Sequence, residues 1–193
     1  MTNPAHPSTA ETVVRRHENP VVGDVVTFIE TSAETAGART LVEVELSPGG
    51  GTPPHRHRSY EERFHVSEGT LVVEVDGIEH ALGPGESACA PAGSVHRFLN
   101  HSVARTVFDV ELRPGHEGFE RALAVTYAMA AEGRVDRQSR PRNPVHGAVL
   151  LAWSEMGLPG AGAVLERPLR ALAAAARICG VERRLERRYL GSA

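Results

Sequence analysis

HRHRSYEERFHVSEG at residues 55–69, taken with HRFLN at 96–100, decides how the rest of this chain is read. His55 and His57 stand at i and i+2, so on an extended segment both side chains point to the same side. Glu62 follows five residues later, far enough for the chain to bend and begin another strand segment. His96 comes from a distant part of the sequence. Imidazole and carboxylate together suit zinc, iron, manganese, nickel or copper. Three histidines with one glutamate also leave a position for water or substrate.

Strand and turn signals surround this stretch. VVGDVVTFIET at 21–31 supplies a first strand, and ARTLVEVELS at 38–47 alternates, with Leu41, Glu43 and Glu45 opposing Val42, Val44 and Leu46. PGGGTPP at 48–54 cannot hold regular structure and delivers the chain into His55. EERFHV, TLVVEV, IEHAL, ESACAP, VHRFLN and ARTVFDVEL then follow as short strands, the second and third joined by the hairpin signal Asp76-Gly77. Short strands broken by turn pairs at roughly ten-residue spacing are what a sandwich or barrel requires.

The motif Gly49-x5-His55-x-His57-x4-Glu62-x6-Gly69, followed by Gly85-x5-Pro91-x-Gly93-x2-His96-x3-Asn100, resembles the two signature motifs of the cupin superfamily with every position filled. The resemblance covers roughly residues 38–112. It implies an all-β antiparallel barrel (a double-stranded β-helix or jelly roll) whose interior binds one divalent metal ion, Fe, Mn, Ni, Cu or Zn. Carried across by position, His55, His57, Glu62 and His96 are the four ligands it implies. The family spacing to Gly69 selects Glu62 and leaves Glu61 on the opposite face. The family spans dioxygenases, isomerases, epimerases, decarboxylases, cyclases, storage proteins and sensors, so the reaction is not set by it.

Beyond the barrel the pattern changes. Residues 1–20, with Pro4, Pro7 and Pro20, read as a flexible N-terminal segment, 21–114 as the barrel, and 115–193 as a helical extension. HEGFERALAVTYAMAAEG places Phe119, Leu123, Thr126 and Tyr127 near helical spacing. Asn143 with Pro144 caps a second helix, a third runs from Pro168 to Gly180, and Val181, Leu185 and Tyr189 stripe a fourth. These short helices are expected to pack on the barrel or across a homodimer.

Charge is unevenly divided. Residues 1–120 hold 9 basic against 18 acidic side chains, and 121–193 hold 12 against 6, all the basic ones being arginine. The short RRLERRY at 183–189 is too little for a nucleic-acid surface, so no nucleic-acid partner is expected. No apolar run is long enough to span a membrane, and no apolar stretch near the N-terminus suggests a secretory signal. Two cysteines ninety positions apart make no disulfide framework, and a cytoplasmic location is expected.

Around the ligands, strand phase puts Phe64 with Glu62 and Phe98 with His96, so these rings and Phe108 are candidates to line an apolar pocket. Tyr60, in the loop before Glu62, either lines the barrel mouth or packs. Arg56 and Arg58 alternate with the ligands and point away. His65 is out of phase and faces outward or into an interface, and His6, His17, His80, His101, His116 and His146 have surface or structural roles. Asn100 is a structural strand-end residue, and Cys89 a small buried hydrophobe. Glu62 is the candidate catalytic residue. The expected activity is that of a metal-dependent enzyme on a small organic metabolite, foremost an oxygenase that takes O2 and an enolisable or phenolic substrate. The alternatives are a non-redox cyclase or isomerase of a natural-product pathway and a non-catalytic small-molecule-binding barrel.

Overall fold

Residues 15–191 are described by the computed structural model. Ten strands come first: β1 (Arg16–Asn19), β2 (Asp24–Glu30), β3 (Thr40–Leu46), β4 (Arg56–His57), β5 (Glu61–Glu68), β6 (Leu71–Val75), β7 (Ile78–Leu82), β8 (Ser87–Ala90), β9 (His96–Leu99) and β10 (Thr106–Arg113). Helices α1 (Glu117–Ala131) and α2 (Pro144–Trp153) follow. A two-residue strand β11 (Met156–Gly157), a 3-10 turn at Gly160–Leu165, and helices α3 (Glu166–Ile178) and α4 (Val181–Tyr189) complete the chain. No described helix is long and apolar enough to cross a membrane.

All strand pairings are antiparallel. Six strands form one sheet in the order β1-β2-β3-β10-β5-β8, three form a second in the order β7-β6-β9, and β4 pairs with β11. Hydrogen bonding does not run unbroken around a cylinder. Isolated bridges, Gly51 to Leu99 and His55 to His96, tie the segment before β4 to β9. Gly51 permits this approach, because a Cβ there would lie 2.5 Å from the Phe98 carbonyl oxygen. The Asp76-Gly77 turn joins β6 to β7 with both residues at positive φ (49° and 82°), the conformation a two-residue hairpin needs.

Alternation fills the space between the sheets. Val42, Val44 and Leu46 of β3, Phe64 and Val66 of β5, Leu71 and Val73 of β6, and Phe108, Val110 and Leu112 of β10 are all buried in one core. Replacing a ring such as Phe108 with alanine would cost about 3–5 kcal/mol. The outer face of the large sheet is charged instead, with Glu61 paired to Arg63 and Arg39 bridging Glu30 and Glu111. Cys89 lies on that outer face and is exposed, which corrects its reading as buried. Register places it opposite Arg63, in the outward phase.

The helical extension docks on its own barrel through α1. Phe119, Leu123 and Tyr127 pack against the sheet core, while Ala122, Val125 and Met129 join Val149, Leu150 and Leu185 in a second core. Polar bonds fix the seam. Glu120 accepts from Ser32 N and Thr40 Oγ1, and Asn19 Nδ2 donates to Ser139 Oγ at 2.7 Å. Asn143 caps α2 through Val145 N with Pro144 at the first position, whereas α3 begins at Glu166, two residues before the expected Pro168. Of the expected flexible segment, residues 1–14 lie outside the described residues, and Arg16–Asn19 instead form the edge strand β1.

Tyr127 Oη donates to Asp24 Oδ2 at 2.5 Å, while the buried Oδ1 finds no partner. Burial pushes the Asp24 carboxyl up to about 6, against the lowering effect of the tyrosine bond. A carboxyl raised on folding gives stability that is whole below its unfolded value and is lost as pH climbs to the folded one. Asp24→Asn is therefore expected to stabilise the protein at neutral pH. Its advantage over the native chain, measured by urea unfolding, should shrink by about 2 kcal/mol between about pH 7.5 and 4.5.

Candidate metal centre

Three segments deliver the four expected ligands to one point between the sheets. Glu62 stands on the inward phase of β5, opposite Leu112 and Ala90, and comes from the six-stranded sheet. His96 opens β9 of the three-stranded sheet, opposite Val75. His55 faces His96 across a bridge whose two backbone bonds measure 3.0 and 2.8 Å. His57 ends β4, its carbonyl accepting from Gly93 N at 2.6 Å.

The four side chains are nearly sealed, His55, His57, Glu62 and His96 being 8, 1, 5 and 2 % exposed. One ligand atom from each lies within 4.8 Å of all the others, and among the described residues this is the one such group. Glu61 is turned outward onto Arg63, as the strand phase requires.

Each imidazole has its Nδ1 committed to an outer acceptor. His55 Nδ1 donates to Pro53 O at 2.9 Å, and His96 Nδ1 to Ser94 O at 3.2 Å. His57 Nδ1 lies 2.7 Å from Tyr60 Oη and 3.3 Å from Ser154 O. With Nδ1 carrying the proton, the Nε2 atoms are the ones turned inward toward a metal ion, His96 Nε2 lying 3.1 Å from Glu62 Oε2. The consequence is sharpest at His57. Its Nε2 sits 3.3 Å from Glu62 Oε1 yet is buried without a hydrogen-bond partner. Two electron-rich atoms facing each other in a sealed space are a costly arrangement that a cation between them relieves. The residues fit a metal ion.

Electrostatics at His55 and Glu62 agree with that donor set. Burial, reinforced by His57 and His96, pushes His55 down to about 3, so it stays neutral. Burial alone would raise the Glu62 carboxyl, but the neighbouring His57 and His96 hold it well below the usual range, and it is ionised. His96 is moved down by burial and up by its 3.1 Å contact with Glu62, with a net rise.

The aromatic residues around the ligands are packed rather than open. Phe64, Phe98 and Phe108 are buried and touch one another, with Phe64 6.3 Å from the His96 ring centre. They form the apolar floor behind the tetrad. Tyr60 is fully buried and stacks on His57 at 4.4 Å and 22°, donating its own proton to Ser154 O at 2.9 Å. His116 caps α1 by accepting from Phe119 N and lies 4.8 Å from the Tyr60 ring, a position its sequence context does not signal. His65 is on the outer face, bonded to Ser87, and His6 lies outside the described residues. Asn100 is structural. Its amide donates to Leu46 O and Ala104 O, and its oxygen accepts from Ser102.

Residues 42–112 match the family described as Cupin domain, so the chain carries a cupin domain over that part. Relatives are similar over 44–52% of the chain. Epoxidase atD of Aspergillus terreus is 37% identical over 86 residues, covering 44% of this chain and 27% of its own. Tetracenomycin polyketide synthase protein TcmJ of Streptomyces glaucescens is 31% identical over 90 residues, 46% of this chain and 60% of its own. Quercetin 2,3-dioxygenase of Bacillus subtilis is 31% identical over 101 residues, 52% and 30% respectively. This chain thus spans about a quarter of the fungal relative and less than two thirds of each of the others.

Removing a ligand should empty the site, and removing its neighbour should not. Glu62→Gln or His57→Ala is expected to lower metal content at least about tenfold by elemental analysis, while Glu61→Gln retains it. Equal loss in the Glu61 variant would overturn the assignment of the inward carboxylate.

Proposed function

We propose that the protein is a metal-dependent enzyme acting on a small organic metabolite, and foremost an oxygenase that takes an enolisable or phenolic substrate together with O2. The observation that carries this reading is the unpartnered Nε2 of His57 against the ionised Glu62 in a sealed space. His55, His57, Glu62 and His96 would hold one Fe, Mn, Ni, Cu or Zn ion, and a redox-active ion would supply the reaction with dioxygen that the side chains cannot perform.

The protein's own groups have defined tasks beside it. His55 stays neutral and serves as a ligand over the whole physiological range. Glu62, ionised, is the one carboxylate placed to accept a proton from an enolisable substrate at the centre. The packed Phe64–Phe98–Phe108 floor excludes water behind the ligands. The names of the epoxidase and the quercetin dioxygenase support oxygen chemistry by similarity. The name of TcmJ, a polyketide synthase protein, supports a natural-product setting, in which the second reading is a non-redox cyclase or isomerase with the ion as a Lewis acid.

Elemental analysis of protein purified without a histidine tag, followed by oxygen-electrode screening, separates the two. Iron, copper, nickel or manganese near one equivalent, with substrate-dependent O2 uptake on a phenolic or enolisable panel, is the expected result. Zinc alone, with turnover under anaerobic conditions, would replace the oxygenase by the second reading. No metal under any loading condition would remove both.

A further inference from the structure

We infer that the helical extension completes the metal centre, with Tyr60 acting as a positioning residue that transmits the Ser154 carbonyl to His57 and so holds this ligand in its metal-binding tautomer. The inference rests on the reading of the tetrad as a metal site.

The three histidines are not supported alike. His55 and His96 each donate to a carbonyl two residues earlier in their own segment, so the barrel alone fixes them. His57 instead depends on Ser154 O, 97 positions away at the end of α2, directly at 3.3 Å and through Tyr60 at 2.7 Å. A carbonyl oxygen only accepts. Tyr60 has one hydroxyl proton, and it goes to Ser154 O at 2.9 Å, so the tyrosine oxygen is left as an acceptor. Both neighbours of His57 Nδ1 therefore demand a proton from it, and Nε2 is left bare toward Glu62.

The rest of the extension holds this arrangement in place. Past Ser154 the chain enters β11, which pairs Met156 with His57 and Gly157 with Arg56. The approach is close enough that a Cβ at Gly157 would lie 2.6 Å from Arg56 Nε. Arg56 reaches Glu166 at the start of α3 at 2.5 Å, and the same carboxylate oxygen accepts from Leu158 N. Tyr60 is clamped between the rings of His57 and His116, with Phe119 at its edge. Outer partners of metal-bound histidines set ligand orientation and basicity, and their loss typically costs 10–100-fold in metal affinity.

The test uses the full chain and zinc as the probe. Tyr60→Phe keeps the ring stack and removes the relay. Glu166→Ala touches no ligand but frees Arg56 and Leu158. Tyr127→Phe cuts a hydroxyl bond between extension and barrel far from His57 and serves as the control. Zinc affinity by chelator competition should fall about 10–100-fold in Tyr60→Phe and in the same direction in Glu166→Ala. In Tyr127→Phe it should stay within about twofold. Nitrogen-15 NMR of the metal-free imidazoles at about pH 8 should show His57 protonated on Nδ1 in the native chain and shifted toward Nε2 in Tyr60→Phe. Native affinity with an unchanged tautomer in Tyr60→Phe would overturn the inference, as would equal loss in Tyr127→Phe, which would mean general loosening. A native chain that binds no zinc would instead defeat the metal reading of the tetrad, and the tautomer measurement would still judge the role of Tyr60.

Discussion

Three imidazole nitrogens and one carboxylate, all directed at a single point and all withdrawn from water, form the constraint on which the rest of this structure depends. Their outer atoms are spoken for by backbone carbonyls and a tyrosine, so the inner atoms have only one another. Burying such a group costs free energy unless something positive joins it. The strand register, the glycine-rich approach to His55 and the outward turn of Glu61 all serve this convergence.

The surrounding architecture divides the labour. The six-stranded sheet supplies Glu62, the three-stranded sheet supplies His96, and the connecting segment supplies His55 and His57. The packed apolar layer beneath them keeps the sheets at a fixed separation. The extension is neither a tether nor a separate domain. Its first helix shares residues with both cores, and its later turns reach back to the strand carrying a ligand.

Much of this was legible in the sequence, for identifiable reasons. Period-two alternation at 40–46 and the Asp76-Gly77 pair are local signals, and the structure places strands and a hairpin there. The resemblance to the two cupin motifs marked His55, His57, Glu62 and His96 as a group, and the fold brings them together. The strands β1, β4 and β11 were not legible, because RHEN, RH and MG are too short to show a period and owe their conformation to their partners. Cys89 was misread because phase follows from pairing with β5, which its neighbours do not reveal. The support of His57 was hidden for a deeper reason. Its acceptor is a peptide carbonyl, a group every residue carries, so no residue type at position 154 could have signalled it.

The pairing of β11 with β4 also sets an order of assembly. Contacts between positions 57 and 154–156 span about half the chain, and such distant contacts close late. During synthesis, residues 40–113 emerge and can fold before the segment that reaches back to His57 exists. The bonds that Ser154 and β11 make to the His57 segment are thus among the contacts that close last, after the sheets that carry the other ligands.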